Sequence, residues 1–182
     1  MAPPTRESPA ERRARRAAVD DPAQVLDAAA RFLEVRPRSS DEVRRRLRDA
    51  GYRPELVEAA IGRLTELGYL DEVAFAEAWV ASRDRARPRG TRALRDELRR
   101  KGVAADVVDA TLAAREGSEA AEAEGADERA ATALLERRAA SLARVDDPRL
   151  RRQRAYALLA RNGFDPEICA RLAARIGVDD GA

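Results

Sequence analysis

The chain has 182 residues, with 35 basic and 33 acidic side chains, no histidine, one cysteine and 4% aromatic residues. Without histidine there is no Ser-His-Asp or Cys-His nucleophile pair and no imidazole-ligated zinc, and Cys169 alone cannot form an intrachain disulfide or a thiolate metal cluster. We therefore expect no enzyme activity, no cofactor and no metal. Abundant Ala, Leu, Arg and Glu, with few Ile, Thr, Tyr or Phe, favour helix over strand and predict an all-α protein.

The sequence also bears on location and size. No run approaches the roughly 20 apolar residues that a membrane helix needs, and the first 21 residues lack the apolar region of a secretory signal. Together with the unpaired cysteine, these features predict a cytoplasmic protein that does not contact a membrane. So few aromatic residues leave little bulk for one large core, so we expect several small helical units in a row.

Helix signals follow in chain order. Residues 1–21 mix Pro, Arg and Glu without an apolar period and predict a disordered arm. Asp-Pro pairs, in which Asp caps the helix and Pro fits its first position, mark helix starts at Asp21, Asp147 and Asp165. Apolar spacing predicts helices over about 22–35, 40–51, 54–67, 71–86, 91–101 and 105–115, followed by a third group of helices after residue 127.

A fixed offset relates these helices. Adding 51 takes Pro37, Val43, Leu47, Gly51 and Val57 onto Pro88, Leu94, Leu98, Gly102 and Val108, and a further 61 takes Leu98, Gly102 and Val108 onto Leu159, Gly163 and Cys169. Matched helix breakers and core positions indicate tandem repeats. The predicted organisation is an arm at 1–21, three-helix repeats at 22–70, 71–115 and 127–177, an acidic linker at 116–126, flexible or partly helical, and a tail at 178–182.

Charge is sorted into blocks along the chain. Residues 83–101 and 129–161 each hold nine bases and three acids, whereas 116–128 hold six acids and no base. The offset of 51 also places arginines in matched positions, because Arg44 and Arg48 map onto Arg95 and Arg99. Two interpretations stay open for these residues. They form either solvated helix faces or a surface for a polyanion or acidic partner, with the basic loop that carries Arg87, Arg89 and Arg92 as the best candidate.

Two aromatic residues fall on the fourth predicted helix. Phe75 and Trp79 share its apolar face and are interpreted as core anchors, with Trp79 at a partner interface as the alternative. Cys169 aligns with Val57 and Val108 and is expected to be a small buried hydrophobic residue.

Residues 36–103 resemble the RecX family, bacterial regulators of the RecA recombinase. The similarity lies in the order of R-P-R-S, a G-Y-L-D turn, the F-A-E-A-W-V helix, a basic R-P-R-G loop and E-L-R-R-K-G. It implies tandem three-helix repeats, about nine helices in all, in an elongated and curved molecule. It also implies a monomer that binds the RecA filament, inhibits its ATPase and strand exchange in DNA repair and recombination, and in some members contacts DNA.

The resemblance places residues of this chain on family motifs. The family's most distinctive motif, which we expect to serve the fold, falls on Tyr69, Leu70, Asp71, Phe75, Ala76 and Trp79. The expected binding residues for the filament or for single- or double-stranded DNA are Arg44, Arg48, Arg87, Arg89, Arg92, Arg95 and Arg99. A stand-alone helical DNA-binding module that uses these arginine faces is the alternative function.

Overall fold

The computed structural model describes residues 7–117 and 124–176. Throughout these residues the regular structure is α-helical, which confirms the predicted fold class. The helices are α1 (Pro9–Ala17), α2 (Pro22–Leu33), α3 (Ser40–Ala50), α4 (Pro54–Glu66), α5 (Glu72–Ala86), α6 (Thr91–Arg100), α7 (Ala105–Glu116), α8 (Ala126–Glu136), α9 (Ala139–Ala143), α10 (Pro148–Arg161) and α11 (Pro166–Arg175). None of the helices in the described ranges is both long and apolar enough to cross a membrane.

The described residues pack into two compact units. The first consists of the residues up to 75 together with 101–103, and the second of 76–100 together with the residues from 104 onward. In the first unit a buried cluster is built from α2, α3 and α4 and includes Val25, Val43 and Leu64. In the second, α8 to α11 enclose a cluster that includes Leu135 and Leu159. Each unit therefore has an apolar core of its own.

Matched positions have matched structures. Gly51, Gly102 and Gly163 end the second helix of each repeat with positive φ values of 105°, 79° and 81°. This left-handed conformation closes a helix and is tolerated by glycine, so the two offsets reflect a real structural repeat. The aligned core positions are fully buried in all three repeats: Val43, Leu94 and Ala155; Leu47, Leu98 and Leu159; Val57, Val108 and Cys169.

The structure differs from the sequence-based expectation at the N-terminal arm. Residues 9–17, expected within a disordered arm, form α1. The Ser8 side chain accepts a hydrogen bond from the Glu11 N–H, and the Glu11 carboxylate accepts one from the Ser8 N–H. This capping box, with Pro9 in the first turn, provides a helix start, and the apolar face of α1 consists of small side chains at helical spacing, Ala10, Ala14 and Ala17.

A second difference, together with α1, brings the number of described helices to eleven, against about nine expected. The first helix of the third repeat is broken into α8 and α9 at Arg137 and Arg138, and Leu142 on α9 still packs into the core. Of the predicted acidic linker, residues 118–123 lie outside the described residues, and so does the predicted tail at 178–182. Residue 126, expected in the linker, begins α8.

Candidate polyanion-binding surface

Three of the seven predicted binding arginines lie on the second helix of a repeat and are held by carboxylates on its third helix. Arg44 Nε lies 2.9 Å from Glu58 Oε1, and Arg48 Nη2 lies 2.8 Å from the same oxygen. Arg95 Nε lies 3.3 Å from Asp109 Oδ1. The hydrogen bonds from Arg44 lower the pKa of the Glu58 carboxyl below its ordinary value. These pairs connect α3 with α4 and α6 with α7, so these three arginines brace their repeats.

The offsets show that this brace is itself repeated. Arg44 and Glu58 map onto Arg95 and Asp109 by the same 51 residues, and the further 61 residues lead to Tyr156 and Ala170. The third repeat therefore has neither partner of this pair at the matched positions.

A different set of arginines lines two neighbouring cavities in the second unit. The first, of about 450 Å³, is lined by Arg87, Arg89, Arg137 and Arg138 together with Pro88, Leu134 and Asn162. The second, of about 420 Å³, shares Arg138 and adds Arg154 and Arg161. Neither cavity has a carboxylate among its lining residues. We call these six residues the arginine strip: Arg87, Arg89, Arg137, Arg138, Arg154 and Arg161.

Two members of the arginine strip are positioned by contacts within the unit. Arg89 donates to the side-chain oxygen of Asn162 and lies 3.7 Å from Glu97. Arg137 donates to the backbone carbonyls of Arg85 and Ala86, each at 2.6 Å. These bonds hold the residues around the basic loop against the C-terminal ends of α8 and α10.

The other four members, Arg87, Arg138, Arg154 and Arg161, are exposed, and none of them forms an ion pair with another described residue. Four guanidinium groups without acids beside them repel one another and attract an external anion. A planar guanidinium can donate two parallel hydrogen bonds to a phosphate or a carboxylate, which makes the strip suited to a chain of such groups.

A buried ion cluster fixes the helix that follows the basic loop. Arg115, whose side chain is 6% exposed, makes two bonds of 3.0 Å to Asp84 and one of 2.6 Å to Asp127. Asp127 in turn accepts hydrogen bonds from the backbone N–H and the hydroxyl of Thr91, the first residue of α6. Burial alone would lower the pKa of Arg115, but the bonds to Asp84 and Asp127 raise it, so the guanidinium stays charged. Asp127 thus caps α6 from a distant part of the chain.

Trp79 is only half-buried and belongs to a polar cluster. Its indole N–H donates to Glu97 Oε2 at 2.9 Å, and the Arg83 guanidinium lies 4.4 Å from the ring centroid and 2.6 Å from the same Glu97 oxygen. Phe75, by contrast, is 5% exposed. The core-anchor interpretation therefore holds for Phe75, whereas Trp79 joins α5 to α6 through hydrogen bonding and a cation–π contact.

The remaining predicted residues are solvent-exposed. Arg92 and Arg99 on α6 have no ion-pair partner among the described residues and do not line either cavity. The strip members Arg137, Arg138, Arg154 and Arg161 were not predicted individually, although the basic block at 129–161 contains them. The lack of acids between residues 148 and 161 could have pointed to Arg154 and Arg161. Only the packing of α8 and α10 brings these two together with Arg137 and Arg138 in one surface. No cluster of three or more potential metal-ligating side chains occurs in the described ranges.

Comparisons with known proteins agree on one family. Family sequence models described as the first, second and third three-helix domains of RecX match residues 26–64, 71–112 and 126–172. A "Regulatory protein RecX" of Amycolatopsis mediterranei is 38% identical over 133 residues, which cover 73% of this chain and 71% of that protein. That of Deinococcus radiodurans is 36% identical over 140 residues, covering 77% and 62%.

Other relatives match over shorter stretches. The chain spans 61% of the length of the Prosthecochloris aestuarii protein and 45% of that of Mycolicibacterium vanbaalenii, both also named Regulatory protein RecX. Among solved structures, RecX from Lactobacillus salivarius superposes with a TM-score of 0.69 at 19% identity, covering 86% of this chain and 97% of that one, and shows the same fold. Three family domains in their order, in a chain that matches most of the length of a 38% identical relative, place this protein in the RecX family.

Proposed function

We propose that this chain is a regulatory protein that binds the RecA recombinase filament and inhibits its ATPase and strand-exchange activity. Membership of a family whose relatives are named regulatory proteins supports a regulatory role, and the lack of a catalytic constellation in the sequence agrees with it. The observation that carries the contact is the arginine strip, a run of six guanidinium groups along two cavities that no carboxylate lines. A nucleoprotein filament offers acidic protein groups and DNA phosphates, and both are ligands for guanidinium.

The predicted binding residues contribute to this proposal unequally. Arg87 and Arg89 lie on the strip, where Arg89 lies 3.7 Å from Glu97 and Arg87 has no ion pair with a described residue. Arg92 and Arg99 lie exposed on α6 with no ion-pair partner among the described residues. Arg44, Arg48 and Arg95 already hold Glu58 and Asp109, so a partner that used them would have to replace an existing ion pair. We therefore assign the strip the larger share of the binding free energy.

The test compares two variants that lose the same charge. In the first, Arg87, Arg138, Arg154 and Arg161 become Gln. In the second, four arginines paired with carboxylates become Gln: Arg44, Arg48, Arg63 and Arg95. Co-sedimentation with RecA filaments on single-stranded DNA should weaken by about 10-fold or more in the first variant, since charge-assisted bonds are lost, and by less in the second. ATP hydrolysis by RecA should recover in parallel.

Two results would contradict this proposal. If saturating wild-type protein leaves the RecA ATPase unchanged, the inhibitory function is wrong. If both variants lose binding equally, net charge rather than the arginine strip governs the contact. Circular dichroism of both variants should retain the helical signal, which separates lost binding from lost folding.

The alternative function, stand-alone DNA binding, also draws on the strip, whose acid-free length suits a phosphate backbone. It predicts tight binding to naked DNA with a log–log salt slope of about −0.7 to −0.9 for each phosphate neutralised. The variant that loses four strip arginines would then reduce the magnitude of this slope by about 3. Weak binding to naked DNA beside tight binding to the filament would reject this alternative.

A further inference from the structure

The N-terminal helix α1 lies outside the residues that the three family domains match, yet it contacts a specific part of the first repeat. Arg16 Nη1 lies 3.4 Å from the backbone carbonyl oxygen of Ala50, at the end of α3, and the Arg16 guanidinium lies 5.9 Å from the ring centroid of Tyr52. The approach at Gly51 is close. A Cβ atom there would lie 2.6 Å from Arg13 Cγ and 2.9 Å from the Arg13 carbonyl oxygen.

The equivalent helix end is contacted in a similar way at two other places in the chain. The offsets of 51 and 61 take Ala50 onto Lys101 and then Asn162, each directly before a left-handed glycine. The Lys101 carbonyl accepts a hydrogen bond from the Ser39 hydroxyl at 2.5 Å, within the first unit. The Asn162 carbonyl accepts one from the Gly90 N–H at 3.0 Å, within the second.

The donors at these two contacts are also equivalent to each other. Ser39 directly precedes α3 and Gly90 directly precedes α6. At each of these contacts, the start of the second helix of one repeat therefore meets the end of the second helix of the following repeat, and we call such a contact a junction. The left-handed glycines pack against the same helix starts. A Cβ atom at Gly102 would overlap Asp41, and one at Gly163 would lie 2.5 Å from the backbone nitrogen of Ala93.

At Gly51 the element in this position is α1. Unlike α3 and α6, which contact the helix end at the glycine with their first residues, α1 contacts it through Arg13 in its middle and Arg16 in its last turn. Like α3, it starts with a capping box. We propose that α1 is the N-terminal cap of the first repeat, because it covers the helix end at Gly51 that a helix start of another repeat covers at Gly102 and Gly163. Arrays of repeats need such caps because a terminal repeat otherwise leaves its junction surface open to water.

The opposite end of the array needs no partner of this kind. The position that matches Ser39 and Gly90 in the third repeat is Arg151, which lies inside α10, where its N–H bonds to the Asp147 carbonyl at 2.9 Å. The third repeat therefore has no free helix start at this position with which to receive a fourth repeat. Among the described residues, the helix end at Ala50 and Gly51 is the one of the three that no helix start of another repeat contacts, and α1 contacts it instead.

The cap is held by few contacts. None of the residues of α1 is fully buried, and a cavity of about 550 Å³ remains between α1 and the end of α3. A nine-residue helix is not stable alone in water, so amide protection in α1 reports its docking. The proposal therefore predicts that α1 is released before the first repeat unfolds.

Hydrogen exchange on the full chain tests the proposal with a matched pair of variants. Arg16→Ala removes the bonds to Ala50 and Tyr52, whereas Arg15→Ala removes only an ion pair with Glu7 inside the N-terminal segment. Amides of residues 10–17 should exchange about 5-fold faster in Arg16→Ala than in Arg15→Ala, since a hydrogen bond and a cation–π contact are lost. Equal exchange in the two variants would overturn the proposal.

Two glycine variants test the close approach separately. Gly51→Ala combines a strained positive φ with the overlap at Arg13, whereas Gly68→Ala has a positive φ of 74° and no atom within 4 Å of the added Cβ. Both should destabilise the first repeat by similar amounts, but Gly51→Ala alone should abolish protection in α1 while α4 stays protected. Protection of α1 that survives in Gly51→Ala, or is lost equally in Gly68→Ala, would refute the cap.

Discussion

Replacing Arg115 with Met should destabilise the second unit strongly, although Arg115 lies at the edge of the sequence expected to form a linker. The guanidinium makes two bonds to Asp84 and one to Asp127, whose side chains are 35% and 12% exposed. Without Arg115, the Asp127 carboxylate stays buried, and its negative charge is stabilised by the hydrogen bonds that the N–H and hydroxyl of Thr91 donate to it. Removing one partner of a buried ion pair costs about 3–5 kcal/mol. For a unit of this size that corresponds to a fall in Tm of about 10–20 °C.

The chain offers both a probe and a control for this experiment. Trp79 is its single tryptophan and lies in the second unit, so urea unfolding followed by Trp79 fluorescence reports on that unit. Arg95→Met removes an ion pair in which Arg95 is 37% and Asp109 59% exposed, and should cost less than about 1 kcal/mol.

A second substitution identifies the source of the loss. Adding Asp127→Asn to Arg115→Met removes the uncompensated charge. The amide oxygen of the new asparagine can still accept the hydrogen bonds from Thr91, so the double variant should regain part of the lost stability. If Arg115→Met lowers the free energy of unfolding by less than about 1 kcal/mol, the explanation that a buried charge is left without its partner is refuted.

Three further predictions concern single side chains. Burial alone would raise the pKa of Glu42, but its bonds to Lys101 and Arg36 lower it from 4.5 to about 2. The ionised carboxylate therefore stabilises the first unit above pH 4.5, and this stabilisation is lost as the pH falls toward 2. Acid unfolding followed by circular dichroism should show a smaller dependence on pH for Glu42→Gln than for the wild type. Tyr69 is 69% exposed, so Tyr69→Ala should change the free energy of unfolding by less than about 0.5 kcal/mol, whereas Leu64→Ala, at 2% exposure, should cost about 2–5 kcal/mol in the same urea titration. Burial raises the pKa of the Cys169 thiol, so an alkylating dye should label it at the rate of unfolding, and rapid labelling of the folded chain would contradict its burial.

The repeat could be predicted from the sequence because its signals are local. Glycine is the residue that adopts the left-handed conformation at a helix end without strain, so the spacing of Gly51, Gly102 and Gly163 fixes where the second helix of each repeat ends. Apolar residues at helical spacing then identify the buried face. The same logic missed α1, because its apolar face consists of alanines, Ala10, Ala14 and Ala17, which bury too little surface to stand out in a sequence rich in alanine.

The charged residues could not be interpreted from spacing alone. Arg44 and Arg87 have the same side chain in similarly basic surroundings along the sequence, yet Arg44 lies beside Glu58 and Arg87 lines a cavity without acids. Likewise Asp127 belongs to the acidic block 116–128, yet it is buried and caps α6. An ion pair between helices depends on where both partners lie in space.

The sequence by itself determined the helical class, the three repeats and the family, because helix propensity, left-handed glycines and apolar periodicity act over a few residues. Only the tertiary structure decided which arginines brace a repeat and which remain available to a partner. The physical reason is that a guanidinium is neutralised by whichever carboxylate packing brings within about 4 Å of it, whatever the distance between the two along the chain.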